Sequence, residues 1–172
     1  HRSLAAVIRT WITLLAAARR AHAQPDLAQM QAIVRYLKCF PVALHHPKED
    51  EFLFRRLRER TRSAVAELEE LERQHARDRQ LVDALAAMVE RLGRGDQELA
   101  ALEDAVGGYA TFLWEHLGRE EGVILPAAER HLTAEDWAEI DAAFSADRDP
   151  RFGGDADAEF RRLFSRIANL AA

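Results

Sequence analysis

Hydrophobic side chains recur every three to four residues along four long segments of the chain, which predicts four amphipathic α-helices. The first segment shows the pattern clearly, with Leu4, Ile8, Trp11 and Leu15 on one face. The predicted helices cover about residues 2–21, 26–58, 63–92 and 97–131. Because the loops between them are short, consecutive helices should pack side by side in antiparallel directions.

Prolines and a capping residue refine this pattern. Asp26 stands where it can cap the second helix. Pro41 and Pro47 should interrupt or kink that helix, and Pro126 should bend the end of the fourth. The predicted fold is therefore an all-α, up-down-up-down four-helix bundle over residues 1–132.

The C-terminal residues 133–172 predict one or two additional helices packed on the same domain. Thr133 and Asp136 in "TAED" resemble a capping box that opens a short helix ending near Ser145. The loop "DRDPRFGGDAD" follows, and then the amphipathic segment "AEFRRLFSRIANL". We therefore expect a C-terminal helical extension rather than a second domain.

Composition and charge narrow the function classes. Only 8 glycines and 5 prolines occur in 172 residues, in agreement with a helical protein. The net charge of −5 gives no reason to expect nucleic acid or an anionic membrane as a partner. Cys39, the single cysteine, excludes an internal disulfide. The lack of an internal disulfide makes a reducing cytoplasm the expected compartment. No apolar run approaches the roughly 20 residues of a membrane span. The sequence does not decide whether the chain forms a homodimer or whether further residues precede His1.

The positions of the histidines follow the geometry of the bundle. In antiparallel neighbours, residues equally far from the connecting loop lie side by side. The midpoint between His1 and the segment 45–49 falls in "AQPD", and that between this segment and His75 falls in "RERTRS". The midpoint between His75 and the segment 116–120 falls at the end of "GRGD". Six residues are therefore expected at one level of the bundle: His1, His45, Glu49, His75, His116 and Glu120.

The residue types at this level favour a metal centre. In "HHPKE" and "HLGRE" a histidine and a glutamate are four residues apart, so both project from one helical face. His75 interrupts an apolar stripe, so its ring should point inward. Four imidazoles and two carboxylates come close to the ligand set of carboxylate-bridged di-iron bundles.

Four stretches of the sequence together resemble the hemerythrin-like family of HHE cation-binding domains, bacterial type: "HRSLAAVI", "HHPKEDEFLF", "ELERQH" and "HLGREEGVILP". The resemblance implies a non-heme di-iron centre that reversibly binds O2 or reacts with nitric oxide or peroxide. It implies two iron ions bridged by carboxylates and by an oxo or hydroxo group, although zinc or manganese could occupy the same donors. The same six residues match the ligand motifs of the family.

Two departures from the oxygen-carrying hemerythrins change the expected ligand set. Leu71 stands where those proteins have a second histidine on the third helix. Their last carboxylate is five residues after its histidine, which would select Glu121 instead of Glu120. We therefore expect a centre with four histidines, or one completed by His46. His22 lies about 31 Å along the helix from His1 and should be outside the centre.

Three functions remain open at this point. The first is a di-iron protein that binds O2, nitric oxide or peroxide for sensing, storage or scavenging. The alternative is a di-iron redox enzyme that reduces peroxide or nitric oxide, or that delivers iron for Fe–S repair. The third is a helical interaction module that works with one metal ion or none. The sequence carries no further cofactor motif, which favours binding over catalysis.

Overall fold

The computed structural model describes residues 1–95 and 97–145, and it contains five helices within these ranges. They are α1 (Arg2–Arg20), α2 (residues 27–60), α3 (Val65–Gly93), α4 (residues 99–131) and α5 (Ala134–Ser145). The predicted loop after Ser145 and the last predicted helix lie outside the described residues. In the described part of the chain, none of the helices is both long enough and apolar enough to cross a membrane.

Helices α2 and α4 contain wide, π-helical turns. In α2, α-helical parts (Leu27–Leu37, His46–Lys48, Arg55–Arg60) alternate with π-helical parts (Lys38–His45, Glu49–Phe54). In α4, the π-helical part Glu120–Ile124 separates Leu99–Arg119 from Leu125–His131. The expected interruption near Pro41 and Pro47 thus takes the form of wide turns instead of a break. A proline lacks the N–H that bonds one turn back, and a wider turn accommodates this loss without ending the helix.

The first four helices form the predicted all-α bundle. Helix α1 packs against α2 and α4, and α3 packs against the same two helices. An ion pair of 2.6 Å between Arg19 Nε and Glu103 Oε2 joins the end of α1 to the beginning of α4, as antiparallel neighbours require. Asp26 caps α2 as predicted, since its carboxylate accepts a hydrogen bond from the Gln29 N–H at 3.3 Å.

The apolar core consists of two clusters with a polar layer between them. The larger cluster fills the half of the bundle that contains Trp11, Ile33, Val89 and Leu102, together with Tyr36 and Tyr109. The smaller cluster fills the other half: Leu53, Phe54, Leu57, Ala64, Leu68, Leu71, Ile124, Ala127, Ala128 and Ile140. The segment 45–49 on α2, His75 on α3 and Glu120 on α4 lie between the residues of these two clusters, and His116 lies at the boundary of the larger one.

Helix α5 packs on the half of the bundle that contains the smaller cluster. The predicted capping box begins it, because the Thr133 N–H donates to Asp136 Oδ2 at 2.9 Å and the Asp136 N–H donates to Thr133 Oγ1 at 3.2 Å. The Arg60 guanidinium donates two hydrogen bonds to Asp136, at 2.7 and 2.9 Å. Near the other end of α5, Lys48 Nζ donates to the Ala143 carbonyl at 2.8 Å. These contacts fix α5 beside α2.

Shortening a side chain of the smaller cluster should destabilise the protein strongly. Leu57 is fully buried, so Leu57→Ala should lower the free energy of unfolding by about 3 kcal/mol through lost burial and a residual cavity. Urea denaturation followed by circular dichroism measures this change. Val123 is 43% exposed, and Val123→Ala should change the same free energy by less than about 0.5 kcal/mol. Equal effects of the two substitutions would contradict the described packing.

Candidate metal centre

The polar layer brings together all six residues that the sequence singled out. Each of its two central carboxylates lies between histidines of different helices. Glu120 Oε2 lies 3.0 Å from His1 Nε2, and Glu120 Oε1 lies 3.2 Å from His116 Nε2. Glu49 Oε1 lies 3.0 Å from His45 Nε2, and Glu49 Oε2 lies 3.5 Å from His75 Nε2. Glu120 Oε1 also lies 3.8 Å from His75 Nε2, so Glu49 and Glu120 together connect all four helices of the bundle.

The donors form overlapping groups, each compact enough to surround one cation. The ligand atoms within each group lie within 4.8 Å of one another, and the groups are His1–His45–Glu49, His46–His75–His116 and Glu49–His75–Glu120. Two donors that each lie about 2.1 Å from one metal ion are roughly 3 to 4 Å apart. The measured distances fit this requirement. Two neighbouring cations that share the carboxylates would use every member of the three groups.

His46 belongs to one of these groups, although its neighbour His45 belongs to another. The ring of His46 stacks on that of His75, with centroids 4.2 Å apart, and lies 5.4 Å from that of His116. It is 4% exposed. Adjacent residues on a helix point about 100° apart, so consecutive histidines can reach two different cations. The structure thus brings His46 into the cluster as a fifth histidine.

Three of the histidines are oriented by hydrogen bonds at their outer ring nitrogen. His75 Nδ1 lies 2.8 Å from Asp50 Oδ1, and His116 Nδ1 lies 3.1 Å from Gln74 Oε1. His1 Nδ1 lies 2.9 Å from Glu121 Oε1. A histidine that donates its Nδ1–H outward presents the Nε2 lone pair inward, as metal-ligating histidines usually do. In each ring it is Nε2 that faces the central carboxylates.

The cluster also contains buried polar atoms without partners. Within residues 1–95 and 97–145, five of its nitrogen and oxygen atoms lack a hydrogen bond: His46 Nδ1, Glu49 Oε2, His75 Nε2, His116 Nε2 and Glu120 Oε1. Leaving such groups unsatisfied in a protein interior is costly. A cation between the inward nitrogens and carboxylate oxygens would satisfy four of the five. The residues present therefore fit a metal ion.

The pKa values of the clustered residues also support a bound metal ion. The hydrogen bond to Glu120 raises the pKa of His1 to about 9. Burial opposes protonation of His75, but Asp50 and the charge of Glu49 raise its pKa to about 9. Burial likewise disfavours the charged form of Glu120, yet His1 and His116 hold the pKa of this carboxyl well below its usual value. Without metal, the cluster therefore holds extra protons that a cation would displace.

A second buried carboxylate lies behind His46. Asp78 is 2% exposed, and its Oδ2 lies 3.5 Å from His46 Nδ1. Burial raises the pKa of Asp78, and the charges of His116 and His75 partly offset this rise. Burial and the charges of His75 and His116 lower the pKa of His46 well below 6.5. His46 is thus kept neutral, which is the form that binds metal.

The remaining candidates of the sequence lie outside the centre. Glu121 contacts only the outer nitrogen of His1, and its side chain is 60% exposed, so Glu120 occupies the central position. His22 lies two residues beyond the end of α1, with a φ of +50°, and is exposed, and His131 is exposed at the end of α4. Cys39 is also exposed.

Two orienting residues have no counterpart in the sequence prediction. Asp50 is not among the residues singled out from the sequence, yet it holds the ring of His75. Gln74 is buried and holds the ring of His116. The sequence does indicate the role of Gln74. It directly precedes the inward-facing His75, so its polar side chain is placed toward the next helix. Asp50 gives no such signal, since its direction depends on the π-helical turn that begins at Glu49.

An antiparallel four-helix bundle with histidines and carboxylates clustered in its core defines a class of metal-binding bundle proteins. The sequence matches the family model of the hemerythrin HHE cation-binding domain over residues 1–128. The chain therefore belongs to the hemerythrin family of HHE cation-binding domains. No curated protein and no solved structure matches it. The domain boundary after residue 132 stays a prediction.

The raised histidine pKa values predict how the stability of the metal-free protein depends on pH. His1 and His75 have pKa values of about 9 in the folded chain and about 6.5 in the unfolded chain. Their stabilising contribution is complete below about pH 6.5 and is lost as the pH rises through about 9. Urea denaturation of the metal-free protein should therefore give a lower free energy of unfolding at pH 9.5 than at pH 7. His75→Gln should reduce this difference, whereas an equal difference in the variant would contradict the assignment.

Proposed function

We propose that the chain is a non-heme di-iron protein that binds a small ligand, namely O2, nitric oxide or peroxide, for sensing, storage or scavenging. The observation that carries the proposal is the pair of buried carboxylates, each placed between histidines of different helices. His1 and His45 would hold one iron ion. His75 and His116, joined by His46, would hold the other, with Glu49 and Glu120 between the two ions.

The donor set supports iron without selecting it uniquely. Imidazole nitrogens and carboxylate oxygens suit iron, and they also suit zinc and manganese. The family to which the chain belongs and the placement of Glu49 and Glu120 between histidines, as in carboxylate-bridged bundles, support iron. When bound, the iron ions would supply Lewis acidity and electrons to a small ligand.

The protein residues around the centre would set its properties. Asp50 and Gln74 fix the rings of His75 and His116, so neither ring can turn away from the cations. Phe54 stacks on His75 at a centroid distance of 5.5 Å, and Phe112 stacks on His116 at 6.3 Å. These apolar rings cover the His75 and His116 side of the cluster and limit the access of water to it. Exclusion of water slows the loss of bound ligand and protects the reduced metal ions from uncontrolled oxidation.

Metal analysis combined with optical spectra tests this function. The purified chain, reconstituted with ferrous iron without oxygen, should bind about two iron ions per chain. Exposure to O2 should produce a near-ultraviolet and visible absorption band that disappears when O2 is removed. Irreversible oxidation with consumption of added peroxide or nitric oxide would instead favour the redox enzyme. Iron content far below one per chain, with stoichiometric zinc, would overturn the di-iron proposal.

A further inference from the structure

An apolar pocket of about 200 Å³ lies directly beside the His1 and His45 side of the cluster. Its floor is polar and consists of His1, His45, Glu49 and Glu120. Its walls are apolar: Leu53, Ile124, Leu125, Trp137, Ile140 and Phe144. A molecule in this pocket would therefore meet hydrogen-bonding groups at one end only.

Helix α5 supplies half of the apolar wall. Trp137, Ile140 and Phe144 recur at intervals of three and four residues and so line one face of that helix. The edge of the Phe144 ring meets the ring of His45, with centroids 5.5 Å apart. Helix α5 begins after the last residue of the family match, which ends at residue 128. This part of the wall is thus a feature of the present chain beyond the matched domain.

The contacts of α5 make the wall a fixed surface. Asp136 receives two hydrogen bonds from Arg60, and Glu139 receives hydrogen bonds from Arg55 and Arg56. Asp136 and Glu139 lie on the side of α5 that faces α2, next to the apolar face. The pocket therefore has a defined shape rather than one that collapses when empty.

The size of the pocket exceeds what a diatomic gas needs. A diatomic molecule is comparable to water, whose share of liquid volume is about 30 Å³. An apolar cavity of about 150 Å³ is known to hold one benzene molecule. The pocket beside the cluster accordingly has room for roughly six to ten non-hydrogen atoms. Its walls would strip water from a charged molecule without replacing the lost hydrogen bonds, so they select an uncharged one.

We propose that this pocket binds a compact, uncharged organic molecule that carries a single hydroxyl or hydroperoxyl group. The polar group would lie against Glu49, Glu120 and His45, and the apolar part would contact Trp137, Ile140 and Phe144. Small organic hydroperoxides would then join peroxide among the ligands of the proposed function. Only this statement about hydroperoxides rests on the proposed function. Binding of the corresponding alcohol needs only the pocket.

Titration calorimetry with 2-phenylpropan-2-ol, on both the metal-free and the iron-loaded chain, tests the pocket. The expected dissociation constant lies between about 0.1 and 1 mM. Tert-butanol, which has a smaller apolar part, should bind at least about tenfold more weakly. In ¹⁵N-resolved spectra the indole signal of Trp137 should shift, while that of the exposed Trp114 stays in place.

A matched pair of substitutions locates the binding. Leu125 lines the pocket and is 36% exposed, so Leu125→Trp can fill the space without disturbing the core. It should weaken binding of the alcohol by at least about tenfold. Val123, two residues away and 43% exposed, does not line the pocket, and Val123→Trp should leave binding unchanged. Equal affinity of Leu125→Trp and wild type overturns the proposal. If the metal-free chain binds the alcohol but does not take up iron, the pocket stands and the di-iron function fails.

Discussion

Glu120→Gln should reduce the iron content from about two ions per chain to one or fewer, because a single side chain faces both halves of the centre. Both Glu120 oxygens contact histidines, His1 at 3.0 Å and His116 at 3.2 Å. Glutamine keeps the shape but loses the negative charge and one acceptor oxygen. The affinity for iron should fall by at least about 100-fold. Removal of a residue that only orients a metal ligand costs up to about 100-fold, and Glu120 would bind the metal directly.

The neighbouring carboxylate provides the control for this substitution. Glu121 is largely exposed and contacts only the outer nitrogen of His1, so Glu121→Gln should retain both ions. Iron is measured by mass spectrometry after gel filtration, and circular dichroism verifies that both variants stay folded. Retention of two ions by Glu120→Gln would contradict the assignment of Glu120, and their loss from Glu121→Gln at the same time would show that Glu121 is the ligand.

His46→Ala should have the second-largest effect, with loss of about one iron ion per chain. The ring of His46 shares a donor group with His75 and His116, and no other histidine of the described residues can replace it there. The lost donor leaves only two histidines for that cation. His22→Ala is the control, because His22 lies exposed at the far end of α1 and should not affect iron content.

The result also distinguishes between two ligand sets. Loss of one ion from His46→Ala establishes a centre with five histidines. Unchanged iron content establishes a centre with four, in which His46 packs against His75 and pairs with Asp78. The unfolding temperature of the metal-free variant separates these effects from a simple loss of packing.

Much of this molecule follows from the sequence, and the reasons are physical. Long helices with short loops leave few ways to pair, so three loop midpoints were enough to place His1, His75 and the two His-x-x-x-Glu segments at one level. Glycine and proline scarcity predicted an all-α fold, and the capping residues Asp26 and Thr133 marked helix starts. Both kinds of signal depend only on residues close in the chain.

What could not be predicted depends on contacts between distant residues or on the helix geometry at the site. The π-helical turn that begins at Glu49 changes the direction of the side chains within it, so Asp50 could not be oriented from an ideal helical period. The approach of α5 to the cluster depends on Arg60 meeting Asp136, which lies 76 residues further along the chain. No local pattern contains that information.

The division of the core into two apolar clusters has a consequence for how the protein unfolds. Two hydrophobic clusters that meet across a layer of ionisable groups share less apolar surface than one continuous core would, so we expect their local stabilities to differ in the metal-free protein. A pair of cations bound by residues from all four helices would connect them and make unfolding a single event. Metal uptake would then link the two clusters, so that local unfolding of one half gives way to cooperative unfolding of the whole bundle.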